Sequence, residues 1–189
     1  LMVGLAASAH ALLTLMLTDR WAASIPYFQL FCMAGILYPL HVINLAVLKA
    51  VGRSDLFFRL ELAKKVISIL AIVLTIRWGI TGLLYGQIGA SIIAFFMNSY
   101  YSGPLVDYDA KSQMQDFLPA LILSFCAGGA MALAGLWVQP LVLQLIVQIV
   151  TGAITYLALS YLFTRSTLVE ITHLARRTLG IPAPARLPT

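Results

Sequence analysis

Charge is what this sequence has least of. Asp, Glu, Lys and Arg make up 10% of its 189 residues, against about 25% in soluble domains, while 61% are hydrophobic and the mean hydropathy is +0.93. A water-soluble fold of this size needs more charge than that to stay dispersed, so lipid is the solvent the composition implies. Acidic residues are scarcest. The seven present are Asp19, Asp55, Glu61, Asp107, Asp109, Asp116 and Glu170, and each reads as part of a loop or tail outside the apolar runs. That removes the carboxylate pair a membrane glycosidase needs and any acid relay within the spans. No serine, histidine and acid grouping suggests a hydrolase, and no Gly-rich phosphate cradle suggests ATP hydrolysis, so the chain is not expected to be an enzyme. The two cysteines, Cys32 and Cys126, lie in apolar runs with no Cys or His at metal-ligand spacing, and read as packing residues. No metal, cofactor or nucleic-acid partner is expected. A basic leader with a small-residue cleavage site is also lacking at Leu1-Met2-Val3-Gly4, so the start does not read as a signal peptide.

What the sequence has is long apolar runs. A bilayer core of about 30 Å takes about 20 helical residues to cross, with every backbone polar group bonded inside the segment. Leu1 to Leu17, Ile25 to Leu48, Phe117 to Val138 and Leu141 to Phe163 each read as one crossing. Val66 to Tyr101 as a single helix would be about 54 Å long, too long for one crossing. Arg77-Trp78-Gly79 supplies a charge, an interfacial aromatic and a helix breaker together, so the run divides there into two spans, the first gaining length from Leu62. With six spans, Lys49, Arg53, Arg59, Lys64, Lys65, Lys111, Arg165, Arg176, Arg177 and Arg186 lie on one side and only Arg20 and Arg77 on the other. That bias makes the first side cytoplasmic, together with both ends of the chain. The expected fold is an all-α integral membrane protein with about six transmembrane helices over residues 1–163. An interfacial amphipathic helix is expected over 164–180 and a disordered tail over 181–189.

Polar residues inside these spans are few. Tyr38, His41 and Asn44 follow Pro39 in the second span and share a face, because 100° per residue puts them within an arc of about 120°. Pro39 cannot bond the Gly35 carbonyl, which predicts a kink with an unpaired acceptor. Polar groups at membrane depth face a bundle interior or a watery cavity, so these three are substrate-path candidates, and the alternative is hydrogen bonding between helices alone. Gly82, Gly86 and Ala90, and likewise Ser124, Gly128 and Ala132, recur every four residues and suit close helix packing. Gln144, Gln148, Thr151 and Thr155 form a weaker stripe suited to interhelical hydrogen bonds. Lys49, Arg53, Lys64 and Lys65 read as a cytoplasmic loop that sets topology and meets anionic inner-leaflet lipids, or docks an anionic headgroup such as a pyrophosphate.

The run Leu37-Tyr38-Pro39-Leu40-His41-Val42-Ile43-Asn44-Leu45-Ala46-Val47-Leu48-Lys49-Ala50, with Gly52-Arg53-Ser54-Asp55-Leu56-Phe57, resembles the Wzx-type polysaccharide flippases, also described as lipopolysaccharide biosynthesis proteins. Gly86-Gln87 and Asn98-Ser99-Tyr100-Tyr101-Ser102-Gly103 are similar to a later helix of that family, and Leu1 to Trp21 to the helix before. The resemblance implies the C-terminal part of a transporter of about fourteen helices in the multidrug/oligosaccharidyl-lipid/polysaccharide exporter superfamily, with two lobes around a cavity. This segment would be one lobe, its partners being the bilayer, an N-terminal lobe of the same protein and a lipid-linked oligosaccharide. The implied activity is moving undecaprenyl-pyrophosphate-linked oligosaccharide across the bacterial inner membrane for O-antigen, capsule or exopolysaccharide. A lone lobe would insert without transporting. The alternatives are a drug or metabolite exporter of the same superfamily, a membrane-bound polysaccharide polymerase and a noncatalytic assembly subunit.

Overall fold

The computed structural model describes residues 1–163, so the expected helix over 164–180 and the tail over 181–189 lie outside the described residues. Among the described residues the fold is all-α. It comprises α1 (Met2–Ala7), α2 (Ala9–Leu17), α3 (Ile25–Ala34), α4 (Tyr38–Ala50), α5 (Ser54–Thr75), α6 (Gly79–Val106), α7 (Ala110–Leu136) and α8 (Leu141–Phe163), with 3-10 turns at Asp19–Ser24 and Ile76–Trp78. Four helical stretches are long and apolar enough to cross a membrane: Asp19–Ala50, Ser54–Val106, Ala110–Leu136 and Leu141–Phe163. The helix pair α1–α2, Met2–Leu17, is shorter than these stretches and is interrupted at Ser8, whose hydroxyl donates to the Gly4 carbonyl at 3.0 Å. Such back-bonding bends helices.

The 53-residue stretch Ser54–Val106 is not straight. It reverses at Ile76–Gly79, where Gly79 has φ +68°, a conformation other residues adopt only under strain. The two arms then pack along each other. Cβ atoms built on Gly82 and Gly86 would fall 2.6 Å from the Thr75 carbonyl oxygen and 2.7 Å from the Thr75 hydroxyl. The four-residue spacing of small residues in α6 is thus the contact surface of a helical hairpin. In the second such motif Gly128 meets Val3 of α1, whereas Ala132 is exposed and Gly135 of α7 approaches Gln148 of α8 instead.

Three sequence expectations are corrected. Ile25 to Leu48 lies within the one helical stretch Asp19–Ala50 but is interrupted by a turn at Gly35–Leu37, so Pro39 stands in the first turn of α4, where no N–H partner is needed. The Gly35 carbonyl is not orphaned, since the Tyr38 N–H donates to it at 3.1 Å. The segment from Lys49 to Lys65 is mostly helix rather than loop. Only Val51–Arg53 separates α4 from α5, because Arg, Glu, Leu and Lys all favour helix. Glu61 therefore belongs to a helix. Third, Cys126 is exposed on α7, while Cys32 is buried.

The helices group by contact. Helices α3, α4 and α5 pack on α6, α7 packs on α8 and α1, and α2 on α8; α1 also meets α3, while α6 and α7 touch little. The outer surface is apolar: Ile69, Leu70, Ile72, Val73 and Leu74 of α5 and Ile146, Ile149, Val150 and Ile154 of α8 are exposed. A surface this apolar suits lipid rather than water.

The hairpin contact makes a direct test. Gly82→Ala places a methyl 2.5 Å from the Trp78 Cβ and 2.6 Å from the Thr75 carbonyl oxygen, an overpacking expected to cost about 1–3 kcal/mol. Gly89→Ala meets nothing within 4 Å. Thermal unfolding in detergent should show a lowered midpoint for the first variant and none for the second.

Candidate functional site

The polar side chains of α4 enter two different environments. Asn44 is 2% exposed, and its amide nitrogen donates to Gln113 Oε1 at 2.8 Å and to Ser99 Oγ at 3.2 Å. Its Oδ1 accepts from Ser102 Oγ at 2.7 Å. Ser99 Oγ donates to Gln113 Oε1 at 3.0 Å, and Gln113 Nε2 donates to the Tyr108 carbonyl at 3.0 Å. These groups form a buried cluster joining α4, α6 and the first turn of α7. Each removes the desolvation cost of its partner.

One helical turn earlier, His41 is partly buried. Its Nε2 lies 3.1 Å from Ser91 Oγ and its Nδ1 lies 3.2 Å from Asn98 Nδ2. The Ser91 hydroxyl donates to the Ala34 carbonyl at 3.3 Å, so its oxygen is free to accept from Nε2–H while Nδ1 accepts from the Asn98 amide. The bonds are mutually consistent with a neutral Nε2–H imidazole. Asn98, fully buried, keeps an Oδ1 with no hydrogen-bond partner.

Tyr38 is 64% exposed. With His41 it lines a half-open cavity of about 470 Å³ between α4, α5 and α6, whose other polar lining is Glu61, Lys64, Lys65, Ser68, Gln87 and Ser91. Helix propensity carries α5 through its charges, and Lys65 lies about 16 Å from the Ser54 end of a helix about 33 Å long. Lys64 pairs with Glu61 three residues earlier. Lys65 has no ion-pair or hydrogen-bond partner among the described residues.

The structure thus brings Tyr38, His41, Lys64 and Lys65 to one cavity and separates them from Asn44, Lys49 and Arg53. Asn44 is sealed in the helix interface. Lys49 lies over the Phe57 ring at 4.6 Å, and Arg53 pairs with Asp55 at 3.2 Å, both beside the α4–α5 turn. Sequence reasoning missed Ser91, Asn98, Ser99, Ser102 and Gln113. The signal for Ser91, Asn98 and Ser102 is their spacing of seven and four on one face of α6. Gln113 gave none, because Lys111 and Asp116 made its surroundings read as loop, whereas α7 begins at Ala110. Asp109 caps that start by accepting from the Ser112 N–H at 2.9 Å, which with Lys111 nearby holds its carboxyl below the usual range. The Tyr108 hydroxyl donates to Asp116 Oδ2 at 2.7 Å, and this bond to a carboxylate, with some burial, pushes its pKa up to about 12.

The sixth-span stripe acts between helices in part: Gln144 Nε2 donates to the Gly135 carbonyl at 2.9 Å, while buried Gln148 has an unpartnered Oε1. His10 is exposed on α2. Among the described residues no three His, Cys, Asp or Glu side chains are grouped to hold a metal ion. Comparisons with protein-family models, curated proteins and solved structures return no match for this chain.

The Asn44 cluster predicts energetic coupling. In a double-mutant cycle, Asn44→Ala and Gln113→Ala should couple by about 0.5–1.5 kcal/mol, the range of interhelical hydrogen bonds in membrane proteins. Tyr38→Ala paired with Gln113→Ala should show none. Denaturant unfolding in mixed micelles measures both.

Proposed function

We propose that this chain is part of a membrane transporter that moves a lipid-linked oligosaccharide, carried on undecaprenyl pyrophosphate, across the bacterial inner membrane. The observation that carries the reading is the half-open α4–α5–α6 cavity, lined by Lys64, Lys65, Tyr38, His41 and Gln87 among helices whose outer surface is apolar. Charged groups that line a cavity among apolar helices mark a ligand or ion path. The two lysines against Glu61 give the cavity one net positive charge from these three groups, and its tyrosine and amide donors suit sugar hydroxyls. The cargo's phosphates would meet the lysines.

The reading takes the bundle as six crossings: α1–α2, α3–α4, α5, α6, α7 and α8. The reversal at Ile76–Gly79 supports treating Ser54–Val106 as two of them. In that arrangement the turns Val51–Arg53 and Asp107–Asp109 are cytoplasmic, and Trp21 and Trp78 sit at the opposite interface. Glu61 favours a second reading, an exporter of cationic small molecules, since such cargo needs a carboxylate in the cavity. Its pairing with Lys64 and the neighbouring Lys65 weigh toward an anionic cargo.

Topology is tested by impermeant thiol labelling of intact cells in a background with Cys32 and Cys126 replaced by Ser. Ala22→Cys should react and Asp109→Cys should stay unlabelled, and the reverse pattern would sink the six-crossing arrangement.

Function is tested by glycan display in cells that depend on the gene encoding this chain. Lys65→Gln should lower export about tenfold, the loss of one charged contact, with unchanged protein abundance. Undiminished export would remove the cavity from the cargo path. His41→Leu is a poorer probe, because it strips the Asn98 side chain of its hydrogen bond and is itself expected to lower abundance.

A further inference from the structure

The donors around the α4–α5–α6 cavity divide into those already engaged and those free. His41 is held on both ring nitrogens, and the Ser91 hydroxyl is committed to the Ala34 carbonyl. Lys64 is held by Glu61, their side chains 17% and 35% exposed. Lys65, the Tyr38 hydroxyl and the Gln87 amide have no partner among the described residues. Lys65 lines the cavity without a counter-charge among those residues, and a resident carboxylate neutralises only one of two adjacent lysines. The pairing within α5 is local, three residues apart, so it needs no other helix to form.

We infer that Glu61 is a built-in competitor for an anionic phosphate group. The ligand's phosphate binds Lys65 and takes Lys64 from Glu61. Glu61 thereby keeps Lys64 neutralised while the cavity is empty and sets the affinity by repelling the anion, which lets the ligand leave as well as enter. The inference deepens the transporter reading at the same cavity by assigning the charged step to three residues of one helix. A phosphorylated lipid headgroup and a soluble phosphate anion share the chemistry it describes.

The test is calorimetric titration of the full chain, in phosphatidylcholine nanodiscs, with inorganic pyrophosphate. Glu61→Gln preserves the side-chain shape and removes the competing charge, and should tighten binding about tenfold. Lys65→Gln should weaken it about tenfold. Lys111→Gln, at the start of α7 and outside the cavity, should leave it unchanged. Binding by Glu61→Gln that equals or falls below wild type overturns the proposal, and so does an equal loss in Lys111→Gln, which would mean general surface attraction. Size-exclusion profiles of the variants identify any that fail to fold, and Glu61→Asp, which keeps the charge, should stay near wild type and serve as the second comparison. Repeating the titration in discs containing phosphatidylglycerol reads the source: weakened binding identifies a lipid headgroup as the occupant and unchanged binding a soluble anion, with the ranking of variants carrying the proposal in both. The ranking together with glycan display in cells that is undiminished by Lys65→Gln would uphold the competitor and defeat the flippase reading. Glycan display lowered by Lys65→Gln with pyrophosphate binding indifferent to Glu61→Gln would do the opposite.

Discussion

The arrangement depends on one buried amide, Asn44. Its side chain joins α4 to α6 through Ser99 and Ser102 and to α7 through Gln113. Helices α6 and α7 share little other surface, and an apolar seam gains no hydrophobic drive in lipid, where the tails are as apolar as leucine. The hydrogen bonds therefore do what burial does in water. Fixing Asn44 also fixes the rotation of α4, and with it the direction of His41 one turn away and the exposure of Tyr38. The cavity's α4 wall is a consequence of a cluster that never touches the cavity.

Glu61, Lys64 and Lys65 show the complementary constraint. Three charges within five residues would stop a hydropathy reading of a span, but not a helix, and α5 passes through them without a break. They face a half-open cavity, and two of the three neutralise each other. The outward side of the same helix, Ile69, Ile72 and Val73 among others, remains apolar and exposed.

Much of the fold was legible because its causes are local. A charge, a tryptophan and a glycine in succession mark a reversal, and the chain reverses there. Small residues every four positions predict close packing, and Gly82 and Gly86 pack on Thr75. What misled the reading was treating neighbours in sequence as neighbours in environment. Pro39 signals a kink only if the helix is already running, and the turn at Gly35–Leu37 means that α4 starts there. The 120° arc of Tyr38, His41 and Asn44 is wide enough for its two ends to meet different neighbours, so one apparent polar face became an exposed tyrosine, a cavity histidine and a sealed asparagine. Gln113 was invisible because its role exists only once α4 and α6 bring Asn44 and Ser99 to it.

The same cluster bears on how the bundle could move. Between the helices that pack on α6 and those that pack on α7 lie two clefts. One, of about 730 Å³, is lined mainly by Phe95, Phe96, Tyr100, Met114 and Leu118 and also reaches Ser99 and Lys111; the other, of about 250 Å³, is lined mainly by Val3, Ile36, Pro39, Phe117 and Leu121. Acyl chains can enter such apolar clefts at little cost, so widening them exchanges one apolar contact for another. Parting Asn44 from Gln113 is different, because lipid offers no replacement donor or acceptor and each separated group bears its full desolvation cost. A displacement that keeps the cluster intact must pivot about it, opening the seam away from Gln113 while the polar contacts stay closed. Displacement at the cluster itself requires another polar group to take over the freed amides. The polar resistance to such parting thus resides in four side chains, Asn44, Ser99, Ser102 and Gln113.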